Sequence, residues 1–184
     1  MKSSMKTILV PTDGSNVAMK ALDVAVDLAR INQARIILLH VLMRDKEPVQ
    51  LLRLPELLGV GPGIVKKLKA MDFNLDAKGL TENTTEKPHK EVNPVTEQML
   101  RQIGNHILER AEARVVELGI VAEALDLADG HAVSVIVATA ETVKADAIVM
   151  GTRGLGLRLT ETKFFGSVFQ EVCRAANITC VAVN

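Results

Sequence analysis

Apolar residues along this chain fall into two rhythms. Short, nearly unbroken apolar runs occur at Thr7 to Val10, Arg35-Ile36-Ile37-Leu38-Leu39-His40-Val41, Val121 to Leu127, Ala145 to Met150 and Ile178 to Val183. They have the length of strands, and their continuity predicts burial on both faces, as in a parallel sheet. Between them, apolar residues recur at helical spacing. A helix is predicted from about Asn16 to Arg30, with Ser15 as N-cap and Ala18, Ala21, Leu22, Ala25, Leu28 and Ala29 on its inner face. A second, near Val95 to Leu118, carries Met99, Ile103, Ile107, Ala111, Val115 and Leu118. A third follows Asp129-Gly130, with Ala132, Val135, Ile136 and Thr139 facing inward, and a fourth spans Val168 to Ala176.

The predicted order is β-α-β-insert-α-β-α-β-α-β. Right-handed crossovers turn that order into an α/β fold, a Rossmann-like, doubly wound, five-stranded parallel sheet with helices on both faces. Residues 1–184 read as a single domain, and residues 43–94 as an insert within it, partly helical and partly flexible. Loops beyond about 15 residues are uncommon in compact domains, so the insert calls for its own explanation.

Composition narrows the class. Lys plus Arg and Asp plus Glu number 22 each, which gives no support to a globally basic nucleic-acid binder. Aromatic residues are only 2% of the chain, so Val, Ile, Leu, Ala and Met must build the core. Cys173 and Cys180 lie in apolar surroundings without Cys-x-x-Cys spacing and read as buried free thiols. No apolar run reaches membrane-spanning length and no signal peptide is evident, so the expected compartment is the cytoplasm.

Candidate chemistry gathers at two strand ends. Ile8-Leu9-Val10-Pro11-Thr12-Asp13-Gly14-Ser15 is a strand emptying into a polar turn before a helix. Ala147-Ile148-Val149-Met150-Gly151-Thr152-Arg153-Gly154-Leu155-Gly156 is a strand emptying into a glycine-rich turn, with Gly166-Ser167 beyond it. Backbone N–H groups of such a turn and of a helix N-terminus make a socket for phosphate oxygens, here at the carboxyl edge of the sheet. Asp13 can accept from an adenine amino group or a ribose hydroxyl, help hold a divalent ion, or simply form the turn. Arg153 can pair with phosphate or serve only solubility. Ser167, with Gln170, has the spacing of a capping box, which would occupy its hydroxyl and leave its N–H to a ligand. The P-loop lysine pattern and a Gly-x-Gly-x-x-Gly after the first strand are both absent. His40 reads as structural, while His89, His106 and His131 show no zinc spacing, and no catalytic triad declares itself.

Ile8 to Ser15, Leu39-His40-Val41, Asp146 to Gly156 and Gly166-Ser167-Val168 together resemble the universal stress protein family. The resemblance implies a dimer, often formed by antiparallel pairing of the last strand, and members divide into ATP-binding and non-ATP-binding groups. In the binding group, the residue matching Asp13 and the backbone matching Val41 contact adenosine. Residues matching Gly151, Arg153, Gly154, Gly166, Ser167 and Val168 surround ribose and phosphates, and Pro11, Thr12 and Met150 complete the candidate set. The implied ligands are ATP, AMP or ADP with Mg2+, its protein ligands unknown. The implied role is a stress-response regulator that senses nucleotide state, hydrolyses ATP slowly if at all, and signals through a homodimer or a protein partner.

The chain departs from the family's Gly-x2-Gly-x9-Gly-Ser/Thr signature, because eleven residues separate Gly154 from Gly166. The longer segment either bulges outward and leaves the socket intact or displaces the phosphate donors, the latter favouring a non-nucleotide stress protein acting through protein contacts. Within the insert, Leu54 to Leu68 resembles a helix-hairpin-helix element, with Gly59 and Gly61 in the turn and Lys66, Lys67 and Lys69 nearby. That segment points to a protein contact, a cover over the nucleotide site, or a DNA-associated regulator binding phosphates without sequence preference.

Overall fold

The computed structural model describes residues 5–42, 94–155 and 166–184. The helix-hairpin-helix-like segment, and almost all of the insert with it, lies outside the described residues. The chain divides into two compact units, Met1–Leu42 with Gly104–Asn184, and Met43–Ile103. In the second unit the description covers residues 94–103, where Met99, Leu100 and Ile103 are buried.

The elements run β1 (Thr7–Pro11), α1 (Asn16–Asn32), β2 (Arg35–Leu39), α2 (Pro94–Glu117), β3 (Ala122–Ala124), α3 (Ala132–Thr142), β4 (Ala147–Gly151), α4 (Ser167–Ala175) and β5 (Thr179–Val183). The five strands form one parallel sheet in the order β3-β2-β1-β4-β5. This is the doubly wound arrangement expected from the apolar runs. β1 lies at its centre, paired in register with β2 from Thr7↔Arg35 to Pro11↔Leu39 and with β4 at Ile8↔Ala147 and Leu9↔Ile148.

Successive strand residues point to opposite faces, and the core sorts accordingly. Ile8, Val10, Ile36, Leu38 and Val149 pack with Ala21, Leu22, Ala25 and Ala29 of α1 and Leu108, Ala111 and Val115 of α2. Leu9, Ile37, Leu39, Ile148 and Met150 pack with Val133, Ile136 and Ala140 of α3 and Val172 of α4. Each fully buried Leu or Ile contributes roughly 1.5–3 kcal/mol relative to exposure. At the opposite, amino end of the sheet, the Asp146 carboxylate accepts from the backbone N–H groups of Lys6 (2.7 Å) and Thr7 (2.9 Å), tying β4 to the start of β1. Those two bonds hold the carboxyl below its ordinary pKa.

Four sequence expectations need correction. The inner face of α3 is Val133, Ile136 and Ala140, one residue out of phase with the expected set. Its run, Ala132-Val133-Ser134-Val135-Ile136-Val137-Ala138, is apolar nearly all round, so periodicity could not fix the phase and packing did. Leu28 and Leu118 are only partly buried, at the rim of the core. The third strand is shorter than Val121 to Leu127: after Ala124 the pairing thins to Leu125 N–H on Leu38 O and a bridge from Val41 to Ala128. Cys173 is exposed and Cys180 half-buried, both free, because α4 turns only its Val172 side fully inward. Among the described residues, no helix is long and apolar enough to cross a membrane.

Candidate functional site

In the order β3-β2-β1-β4-β5 the chain leaves β1 toward one edge and later resumes at β4 toward the other. The carboxyl ends of β1 and β4 therefore flank the topological switch point, where ligand crevices open in sheets of this kind. Both candidate turns lie there.

The turn after β1 is fixed by local hydrogen bonds. Thr12 N–H donates to Leu39 O (2.9 Å), and Thr12 Oγ1 accepts from Gly14 N–H (3.2 Å). Gly14 has a φ of 79°, the left-handed geometry that suits glycine. Ser15 is the N-cap of α1, its hydroxyl accepting from Ala18 N–H at 3.1 Å, as the sequence led one to expect. Behind the turn, His40 is almost wholly buried and its Nδ1 lies 2.8 Å from Thr12 O. A carbonyl only accepts, so Nδ1 carries the proton and Nε2, buried with no partner, keeps its lone pair. Burial pushes the imidazole below its ordinary pKa, against the opposing pull of the Thr12 carbonyl and the Asp13 charge. Gly104 of α2 leaves room for the ring, since a Cβ there would stand 2.9 Å from His40 Cδ2.

Asp13 joins the two turns. Its Oδ1 accepts from Ser15 N–H (3.0 Å) and its Oδ2 from Leu155 N–H (2.6 Å), across 142 positions of sequence. Gly154 lies directly beneath this contact: a Cβ at that position would stand 2.4 Å from Asp13 Oδ2. A side chain there would displace the carboxylate, so the glycine has a local role before any ligand is considered.

The far side of the glycine loop is held by Thr152, a fully buried polar residue. Its N–H donates to Val183 O (2.8 Å), its O accepts from Gly166 N–H (2.6 Å), and its hydroxyl donates to Asn184 Oδ1. Thr152 and Gly166, which flank the lengthened segment, are therefore in direct contact. α4 begins at Ser167, with Gly166 as N-cap and no side-chain cap. The expected capping box does not form: Ser167 is the first helical residue, one position too late for its hydroxyl to cap. Gly166 itself supplies no side-chain cap, and the positive end of the helix dipole lies beside Thr152.

The structure thus brings together Thr12, Asp13, Gly151, Arg153, Gly154, Gly166 and Ser167, with Val168 partly exposed on the same helix end. Arg153 is exposed, a cation at the rim of the loop. Pro11 and Met150 are buried strand-end residues, Met150 within the α3–α4 face of the core. Val41 is half-buried and bridged to Ala128. Thr152, Leu155 and Asn184 escaped the sequence reading. A buried threonine inside a glycine loop was the available signal for the first, while the other two act through contacts that spacing does not reveal. No group of three or more His, Cys, Asp or Glu suited to a metal occurs among the described residues. The chemistry fits a polyphosphate through backbone donors and Arg153. Both Asp13 oxygens already accept one bond, and each retains capacity for a further donor.

The universal stress protein family model matches residues 5–58 and 75–184. Universal stress protein UspA from Lactobacillus plantarum superposes with a TM-score of 0.65 at 17% identity, over 100% of each chain. A universal stress protein in complex with cAMP gives 0.56 at 21% identity, over 99% of this chain and 98% of that one. The Archaeoglobus fulgidus universal stress protein in complex with dAMP gives 0.55 at 19%, over 98% of each. No curated protein matches the chain. At such identities the superpositions speak for the fold, while the family match extends over most of the sequence: the chain belongs to the universal stress protein family.

Proposed function

We propose that this protein is an ATP-binding stress-response regulator that senses nucleotide state and signals through a dimer or a protein partner. The observation that carries the reading is the convergence, at the switch point, of the Asp13-clasped glycine loop and the N-terminus of α4. Adenosine is assigned to the Asp13 and Val41 side, and the phosphates to Arg153, Gly154, Ser167 and Val168. Nucleotide complexes of two structural neighbours, one with cAMP and one with dAMP, support a nucleotide as ligand class. Mg2+ would arrive on the phosphates, and ATP hydrolysis is at most slow. Among the described residues β5 pairs only with β4, and its outer edge is the surface assigned to the homodimer.

Isothermal calorimetry with ATP and Mg2+, repeated with AMP, is the test. Saturable binding at one site per chain, weakened by Asp13→Ala, is expected. Absence of both heat and thermal stabilisation at millimolar ATP would refute the reading. It would favour the non-nucleotide member of the family, for which the longer Gly154–Gly166 spacing and the internally engaged Asp13 carboxylate are the specific grounds.

A further inference from the structure

One backbone donor of the glycine loop is already in use. Leu155 N–H donates to Asp13 Oδ2 (2.6 Å), while Ser15 N–H holds the other oxygen of the same carboxylate at 3.0 Å. The carboxylate also takes up the space that Gly154 leaves open. A Cβ there would stand 2.4 Å from Oδ2 and 3.5 Å from Cγ, so the room made by the missing side chain holds an anion of the protein's own. A backbone amide has a single proton to donate. A phosphoryl oxygen can therefore take the Leu155 donor only by displacing the carboxylate, and both competitors are negatively charged.

Taking the loop as the phosphate socket of the function proposed above, on which this inference rests, we propose that the Asp13 carboxylate is a specificity-determining internal anion that sets the socket against free polyphosphate. Inorganic polyphosphate arrives as an acceptor and offers the displaced carboxylate nothing in place of Leu155 N–H. A ligand that also carries a donor, such as a ribose hydroxyl or an adenine amino group, can satisfy the carboxylate as it gives up the loop. Charge acts in the same direction. Two like charges about 4 Å apart, at an effective dielectric of about 20, repel strongly enough to cost roughly a thousand-fold in affinity. Asp13 is only half-buried, and a loop released from its clasp must be ordered again on binding, which together bring the expected effect down to about ten-fold. Asp13→Asn removes the charge at nearly constant shape. Its amide presents one acceptor oxygen, so it can serve Ser15 N–H or Leu155 N–H but sets its own NH2 against the other.

The test is calorimetry of the full chain with inorganic tripolyphosphate, without Mg2+ so that no cation bridges the carboxylate and the phosphates. Asp13→Asn is expected to bind tripolyphosphate about ten-fold more tightly than wild type, and Asp13→Ala to gain in the same direction. Equal, weaker or undetectable tripolyphosphate binding by folded variants, with folding checked by urea denaturation, would overturn the proposal. Failure of the nucleotide reading shows separately, as absence of ATP binding by wild type, and leaves the tripolyphosphate comparison free to come out either way. Hydrogen exchange of the unliganded wild type supplies a readout that needs no variant. The Leu155 amide is expected to be protected there, and a freely exchanging Leu155 would overturn the proposal whether or not the variants fold.

Discussion

Replacing Gly154 by Ala should destabilise this protein, although the backbone alone argues for the reverse. Gly154 is not among the residues with positive φ, so an alanine fits its backbone, and loss of glycine's freedom in the unfolded chain would stabilise by about 0.4–1 kcal/mol. The added Cβ, however, would stand 2.4 Å from Asp13 Oδ2. Relieving that contact takes a displacement of about 1 Å, enough to carry Oδ2 out of reach of the Leu155 N–H it now holds at 2.6 Å. A hydrogen bond to a charged group contributes about 1.5–3 kcal/mol, and the low end applies because Asp13 is only half-buried. The net expectation is a loss of about 0.5–1 kcal/mol and a faster-exchanging Leu155 amide. Urea denaturation and hydrogen exchange measure the two effects.

The decisive control is a cycle with Asp13→Ala. Without the carboxylate the new methyl meets no described atom beyond its chain neighbours within 4 Å, so Gly154→Ala should become neutral or mildly stabilising, with a coupling energy of about 0.5–2 kcal/mol between the positions. Additive effects, or a Leu155 amide equally protected in wild type and Gly154→Ala, would refute the account of why glycine stands here. Neither result depends on whether a nucleotide binds.

Three further expectations follow from buried or shared polar groups. His40 is held neutral below its ordinary pKa of 6.5, so the unfolded chain binds more protons; stability should fall as pH drops through about 6.5 and level off below the folded-state value. Denaturation series from about pH 7.5 to about pH 5.5 test this, and His40→Asn should flatten the dependence. Thr152→Val removes the buried hydroxyl bond to Asn184 and should lower stability by about 1 kcal/mol, while Thr152→Ser retains most of it; protection of the Gly166 amide gives a second readout. Asp146→Ala loses two backbone bonds at an exposed position, costing about 1 kcal/mol after solvent screening. That contribution is present above the ordinary carboxylate value of 3.8 and should vanish in acid as pH falls through the lowered folded-state pKa.

Much of the fold was legible because burial on both faces leaves a direct mark on composition. Ile8-Leu9-Val10, Ile36 to Leu39 and Ala147 to Met150 are continuous apolar runs for that reason, and Ser15 announced α1 through a local bond three residues long. Legibility failed where the answer depended on a distant partner or on an ambiguous pattern. The phase of α3 was hidden by valines on nearly every side, and the exposure of Cys173 by its apolar neighbours in sequence. Asp13, Gly154 and the Gly166-Ser167 pair were all singled out, yet the bond that relates Asp13 to the loop spans 142 positions and leaves no spacing to read.

That distinction changes how the glycine loop should be understood. A glycine chosen only to let phosphate approach would leave the empty loop free to wander. Here Asp13 grips one end of the loop through Leu155, and Thr152 fixes the other to Gly166, Val183 and Asn184. The described ends of the loop are therefore set by the protein before a ligand arrives, which lowers the ordering cost that binding would otherwise carry. Because Thr152 bonds to α4's N-cap and to the end of β5 at once, a ligand that shifts the loop must strain or release contacts to the edge strand β5. Coupling of that kind needs a difference in affinity between two arrangements of the loop, and Thr152→Val is the substitution that should weaken it while leaving Asp13 in place.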